Sequence, residues 1–244
     1  GQIGLDATLG YGGHTKAMLN CLKGEGHIYG LDVDPIESAK TKKRLEDAGF
    51  GEDILTVRLQ NFADIDLVSK ETGKKFDFIL ADLGVSSMQI DNPERGFTYK
   101  FEGPLDLRLD PEKGVSAAER LANITKEELI GMLVENSDEP YAEEIAREVI
   151  KRNRKKDPIK TTIQFKETIE TALTFLPEAE RKEAVKKACA RCFQALRIDV
   201  NSEFEVLYSF MEKLPGVLKP GGRVAILTFH SGEDRLEKKF LKDG

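Results

Sequence analysis

The chain has no tryptophan, only three cysteines and only three histidines in 244 residues. A cysteine set this sparse and odd cannot build the dense disulfide framework of a small secreted scaffold, so a reducing compartment is expected, the bacterial cytoplasm or an organelle matrix. Long apolar runs are also lacking. None approaches the roughly 20 residues that cross a bilayer, and mean hydropathy is −0.39, so no membrane span is expected. Positive charge is not in excess either: 37 Lys+Arg against 43 Asp+Glu give a net charge of −6, so any contact with nucleic acid must be local. Proline is scarce, at nine residues beside 21 glycines, and the charged fraction is 33%, which excludes a collagenous, low-complexity or wholly disordered chain. What is present is 40% hydrophobic residues, ample core for one large domain or a domain with an insertion.

The chain opens Gly1-Gln2 without Met and runs straight into a strand pattern, so it reads as a piece of a longer chain with no targeting signal in view. In its first third, short apolar runs ending in Asp or Gly alternate with helical patterns, the mark of βαβ units on a parallel sheet. The patterning predicts strands at Ile3–Thr8, His27–Asp32, Ile54–Leu59 and Phe76–Asp82, with helices at Thr15–Leu22 and Pro35–Asp47. From about Leu105 to Arg197 strand-like runs vanish and helix-forming stretches take over, at Lys126–Glu135, Tyr141–Asn153, Thr162–Thr174 and Pro177–Leu196. A further helix is expected at Glu203–Leu214, a turn at Lys219–Gly222 and a fifth, buried strand at Arg223–Phe229. The expected class is α/β: a Rossmann-like sheet over residues 1–104 and 198–244, interrupted by an all-helical insertion at 105–197.

Three places carry chemistry. The first strand leads into Gly10-Tyr11-Gly12-Gly13-His14-Thr15, a glycine-rich turn at a helix start, where backbone N–H groups are free to meet a ligand. The dinucleotide fingerprint wants a third glycine where Thr15 stands, so the match to a hydride-transfer enzyme is incomplete. Asp32 closes the second strand about 20 residues later, placed to accept both hydroxyls of an adenosine ribose; helix capping is the plain alternative for Asp32 or Asp34. Asp82 closes the fourth strand ahead of Leu83-Gly84-Val85-Ser86-Ser87. An anion there suits a substrate amine beside a sulfonium and would repel a phosphoryl group in transfer.

With these residues the chain resembles the MraW (RsmH) family of S-adenosylmethionine-dependent methyltransferases, which methylate the exocyclic amine of a cytidine in the decoding region of small-subunit ribosomal RNA. The resemblance covers essentially the whole chain. It rests on Gly12-Gly13-His14, Asp82-Leu83-Gly84-Val85-Ser86-Ser87, Pro93-Glu94-Arg95-Gly96-Phe97, Gly103-Pro104-Leu105-Asp106, Phe193-Gln194-Ala195-Leu196-Arg197, Val200-Asn201-Ser202-Glu203, and Phe229-His230-Ser231 followed by Glu233-Asp234-Arg235. The resemblance implies that the cofactor touches Gly12, Gly13 and His14 through the first turn, Asp32 at the ribose, Phe62 beside the adenine, and Asp82 and Gln89 near the reacting end. Against the family pattern the chain shows Gly232 in place of the usual Leu and Asn136-Ser137-Asp138-Glu139 in place of a Tyr-Gly-Glu-Glu run, and it lacks a segment before the first strand and a final strand.

Methyl transfer to an amine is an in-line displacement that asks chiefly for alignment. No metal is expected. Asp82 is the expected central residue, accepting hydrogen bonds from the amine with help from Ser86, and His230 and Asn201 are the expected neighbours that orient the base or relay a proton. The base has to leave its stack, with Phe97, Tyr99, Phe101 and Phe229 as candidate platforms of which one or two are expected to meet it. Arg95, Arg108 and Arg197 lie inside the shared motifs and are expected substrate contacts. Between Arg147 and Lys160 seven cations face two acids, which reads as a phosphate-facing surface or a solvated helix face. Cys189 and Cys192 are read as reduced helix cysteines, since no second pair supports zinc. The competing readings are an amine methyltransferase acting on DNA, a nicotinamide-dependent oxidoreductase, and an RNA-binding ribosome-assembly factor that holds the cofactor without transfer.

Overall fold

The computed structural model describes residues 1–243, which form two compact units: residues 1–86 with the segment from Phe204 onward, and Ser87–Glu203. The first unit holds a five-stranded parallel sheet in the order β3-β2-β1-β4-β5, with β1 (Gln2–Asp6), β2 (Gly26–Asp32), β3 (Leu55–Leu59), β4 (Phe76–Asp82) and β5 (Leu218–Leu227). Its helices are α1 (Gly13–Leu22), α2 (Pro35–Asp47) and α3 (Ile65–Thr72). The second unit carries α4 (Ser87–Asp91), α5 (Ala117–Asn123), α6 (Lys126–Ser137), α7 (Ala142–Arg154), α8 (Thr162–Ala172) and α9 (Glu178–Asn201). The chain then re-enters the first unit through α10 (Glu203–Val217) and ends in α11 (Ser231–Asp243).

Both faces of the sheet are covered, and β2 shows how. Tyr29 and Leu31 point to the face packed with Leu5, Ile65, Val68, Phe76, Phe210, Met211 and Leu214. Ile28 points to the other, with Leu9, Leu19, Leu45 and Leu55. Period-2 alternation between two apolar layers is what makes parallel strands read as continuous hydrophobic runs. Reversal of strand order between β1 and β4 opens a crevice at the carboxyl ends of the strands, and in such sheets ligands bind there.

Local chemistry sets several boundaries. Asp34 caps α2 by accepting from the N–H groups of Ile36 and Glu37 at 3.0 and 3.1 Å, and Pro35 occupies the first turn. In the helical unit α5, α6 and α8 each open on a capping box, Ser116 with Glu119, Thr125 with Glu128 and Thr161 with Gln164. Its core gathers Leu105, Leu107, Leu121, Leu133, Ile145, Phe165, Ile169, Cys189, Cys192 and Leu196.

Three sequence expectations change. Residues 87–104, expected with the sheet, fall in the helical unit, where Pro104 bridges Thr161 and the Gly103 carbonyl accepts from the Thr162 N–H. Lys219–Gly222, expected as a turn, lies inside β5 as a bulge: β4 advances two residues from Phe76 to Phe78 while β5 advances five, from Leu218 to Arg223. Gly221 takes φ +78° there, a conformation glycine supplies without strain. The fifth strand, expected to be buried, pairs with β4 alone among the described residues, and Leu227 stands 38% exposed. Helices α3, α4, α5 and α11 were not foreseen.

Candidate active site

The ends of β1, β2 and β4 bring three carboxylates of the first unit around one turn. Asp6 closes β1 and is almost fully buried. Its carboxyl accepts the Thr15 hydroxyl at 2.6 Å and the Thr8 N–H at 3.1 Å. Burial nonetheless holds its pKa above the ordinary carboxylate value. Thr15, which stands where a dinucleotide fingerprint has glycine, therefore ties α1 to β1 by a side-chain bond that glycine cannot make. Gly12 has φ +84°, and a Cβ there would lie 2.7 Å from the Thr41 methyl, so that position admits only glycine without strain. At Gly13 a Cβ would meet nothing within 4 Å, leaving the backbone open to a ligand.

Asp32 separates from Asp34 in role. Asp34 is the helix cap, whereas Asp32 ties two loops together by accepting from the Gly10 N–H at 3.0 Å and the Asp34 N–H at 2.9 Å. Burial pushes the Asp32 carboxyl up to about 6, against the lowering effect of those bonds. Each oxygen takes one backbone donor, and a carboxylate oxygen can accept a second.

Asp82, at the end of β4, donates its backbone N–H to the Thr8 hydroxyl at 2.7 Å. One carboxylate oxygen, Oδ2, lies 3.0 Å from His14 Nε2. The other, Oδ1, is buried and has no hydrogen-bond partner among the described residues. Gly84 follows with φ +106°, and its open side faces the Phe229 ring. Ser86 ends this unit, its Cβ near the place a side chain at Gly10 would take. Phe62 sits half-buried just past β3 with its ring edge-on to Phe210 at 5.1 Å. His230 is nearly buried at the start of α11. Its Nδ1 accepts the Glu233 N–H at 3.4 Å, and Glu233 in turn accepts the Phe229 N–H at 2.9 Å.

The remaining expected residues lie in the helical unit. Gln89 is buried on α4. Asn201 uses its whole amide: Nδ2 donates to the carbonyls of Leu107 and Arg197, and Oδ1 accepts the Leu109 N–H, each at 2.8 Å. It thereby fixes the loop in which Leu107 holds φ +63°. Arg95, also buried, donates to the carbonyls of Arg108 and Leu109. Arg108 pairs with Asp106 at 2.7 Å, and Arg197 clasps Glu203 through two bonds of 2.7 and 3.1 Å. The three arginines thus have protein partners already. Among the aromatic candidates, Phe97 and Tyr99 pack on the helical core, while Phe101 and Phe229 stand 57% and 70% exposed. Cys189 and Cys192 are fully buried free thiols, and burial pushes Cys189 up to about 12.

Sequence reasoning missed Asp6, Thr8 and the side chain of His14 as parts of this site. Asp6 carried the only signal, an acid closing an apolar strand, as Asp32 and Asp82 do. The donor set fits a ligand with a cationic group and a ribose: a left-handed glycine turn, a carboxylate placed for two hydroxyls, and a buried carboxylate oxygen lacking a donor.

An open parallel sheet in 3-2-1-4-5 order, with a glycine turn after β1 and acids closing β2 and β4, defines a Rossmann-like class I methyltransferase domain. Residues 1–244 match the MraW methylase family, and the chain belongs to that family. It is 69% identical over its full length to "Ribosomal RNA small subunit methyltransferase H 1" of Agathobacter rectalis, spanning 70% of that protein. It is 64% identical to the protein of the same name from Lachnoclostridium phytofermentans, spanning 66% of it. To "Ribosomal RNA small subunit methyltransferase H" of Thioalkalivibrio sulfidiphilus it is 41% identical over 99% of the chain, spanning 74% of that protein.

Proposed function

We propose that the protein methylates the exocyclic amine of a cytidine in small-subunit ribosomal RNA with S-adenosylmethionine as donor, acting in the bacterial cytoplasm on the RNA or the assembled subunit. The observation that carries this reading is the Asp82 carboxylate at the carboxyl end of β4, 30% exposed and held by His14 through its accessible oxygen Oδ2 beside the glycine turn. When bound, the cofactor supplies an electrophilic methyl group on a sulfonium. Gly12, Gly13 and the backbone of His14 would hold its amino-acid end, Asp32 its ribose hydroxyls and Phe62 its adenine, with Asp82 and Gln89 toward the reacting end.

A cytosine amine is a poor nucleophile because its lone pair is delocalised into the ring. An acceptor that draws an amine hydrogen toward itself localises that pair and takes up positive charge as it develops. Asp82 does this through its accessible oxygen Oδ2, which can accept a second donor beside His14, and Ser86 offers a further acceptor. Within the helical unit Asn201 holds the Leu107–Leu109 loop, in the sheet unit His230 holds the start of α11, and Arg95, Arg108 and Arg197 are the proposed RNA-facing residues. The relatives' names support an RNA substrate, and the exposed Phe101 and Phe229 rings offer stacking surfaces for a base withdrawn from its helix.

The test is to incubate the protein with S-adenosylmethionine and unmethylated small ribosomal subunits, digest the RNA and look for N4-methylated cytidine by mass spectrometry. Asp82→Ala is expected to lower transfer by at least about a hundredfold while RNA retention on filters stays near wild type. Methylation on another nucleotide, or full activity in Asp82→Ala, would overturn the reading.

A further inference from the structure

The side chain of His14 has no part in the function proposed above, where only its backbone meets the cofactor. Yet it makes the one side-chain contact to the Asp82 carboxylate recorded among the described residues, Nε2 to Oδ2 at 3.0 Å, across 68 positions of sequence. The histidine ring is 52% exposed and the acid 30%, so an isolated surface pair here would have little stabilising value. The opposite oxygen, Oδ1, is buried without a donor. A carboxylate with one oxygen sealed in the protein and the other held by His14 is oriented, and the outward oxygen, Oδ2, keeps a second lone pair for a ligand. The backbone N–H of Asp82, bonded to Thr8 Oγ1 at 2.7 Å, fixes the residue from behind. Asp6, closing the neighbouring strand, is buried and bonded to Thr8 and Thr15, so both the support and the helix start that bears His14 rest on one anchored turn.

We propose that His14 is a positioning residue for methyl transfer: its Nε2–H, donated to Asp82 Oδ2, fixes that oxygen so that its second lone pair meets the substrate amine. The inference rests on the functional reading above. As the new N–C bond forms and the C–S bond breaks, with its electron pair left on sulfur, the amine nitrogen carries one proton in excess. Asp82 Oδ2 takes that proton and becomes a neutral carboxyl. The His14 bond keeps Oδ2 turned outward to the amine, and the proton then leaves to water from the exposed side of the pair. Atoms and charge balance with no further reactant. A purely structural role, in which the pair only ties α1 to β4, predicts a different pattern: lowered melting temperature, unchanged turnover and no dependence on the donor atom.

The experiment has two arms, both on the whole protein. Imidazole ¹H–¹⁵N spectra of wild type and Asp82→Asn read whether the pair exists in solution; an Nε2–H tautomer of His14 that shifts on Asp82→Asn is expected, and a His14 signal indifferent to that change overturns the proposal. Steady-state kinetics with small ribosomal subunits, with S-adenosylmethionine binding measured by calorimetry, then compare His14→Ala and His14→Gln, since the Gln amide nitrogen can donate where Nε2 does. The expected pattern is a kcat about tenfold to a hundredfold lower in His14→Ala, cofactor Kd within about twofold of wild type, and most of the kcat restored in His14→Gln. Wild-type kcat in His14→Ala, a loss confined to cofactor affinity, or no recovery in His14→Gln overturns it. A wild-type protein that shows the pair by NMR but methylates no cytidine instead defeats the functional reading, and the positioning role with it.

Discussion

At the scale of single residues, three acids that look alike in sequence do three different things because their donors differ. Asp34 is used up by a helix start, Asp6 by a hydroxyl and a turn, and Asp82 keeps one oxygen free. A fourth acid, Asp32, has chemistry that follows pH in the working range. Its folded pKa, about 6, lies above the ordinary 3.8 because burial disfavours the charge. The proton is therefore held more tightly in the folded state: Asp32 contributes stability to the ligand-free protein below about pH 4, and that contribution is lost as pH rises through 6. Ribose binding runs the other way, since only the ionised group can accept two hydroxyls. S-adenosylmethionine affinity, measured by calorimetry between pH 5 and 8, is expected to rise through pH 6 and level off, and a flat profile would exclude Asp32 as the ribose acceptor. Asp32 was legible in sequence because its spacing from the glycines is a local property. The Asp6–Thr15 and His14–Asp82 pairs were not, because each joins a strand end to a helix start whose registry only the folded sheet defines.

At the scale of elements, helix boundaries were readable where the chain marks them chemically. Asp34-Pro35 marked α2, and apolar spacing located α6 through α9. Helices α3, α4, α5 and α11 escaped because they are short or carry few buried apolar positions, so periodicity had little to act on. The apolar run at Val224–Leu227 read as buried because composition does not show that, among the described residues, Val224 and Ile226 join the core while Leu227 is exposed. The capping boxes offer a direct check on how far local signals hold the helical unit. Thr125→Ala removes the bond to the Glu128 N–H and is expected to cost about 1 kcal/mol, read as a lower urea midpoint with unchanged slope. Thr125→Ser should restore it.

At the scale of the whole molecule, a net charge of −6 conceals a local excess of the opposite sign. At the end of α7 and just beyond it, Arg154, Lys155 and Lys156 are exposed and form no ion pair among the described residues, whereas Lys151 and Arg152 are paired with Glu148 and Asp157. If these three meet phosphates, replacing them by Glu lowers RNA affinity and flattens its dependence on salt between about 50 and 200 mM; an unchanged slope in filter binding assigns them to a merely solvated face. The two-unit division was legible because strand patterns stop and resume, but its limits were not. The motifs from Pro93 to Asp106 resemble loop sequence and take their place from long-range bonds to Lys160 and Thr162. The thiols add one practical property. Cys21 is exposed on α1 of the sheet unit, while Cys189 and Cys192 are sealed in the helical core. An alkylating reagent will thus modify Cys21 in the native state at once, and the other two only when the helical unit opens. A single mass spectrum taken over time is a clock for the breathing of one half of the protein, with the other half supplying its zero.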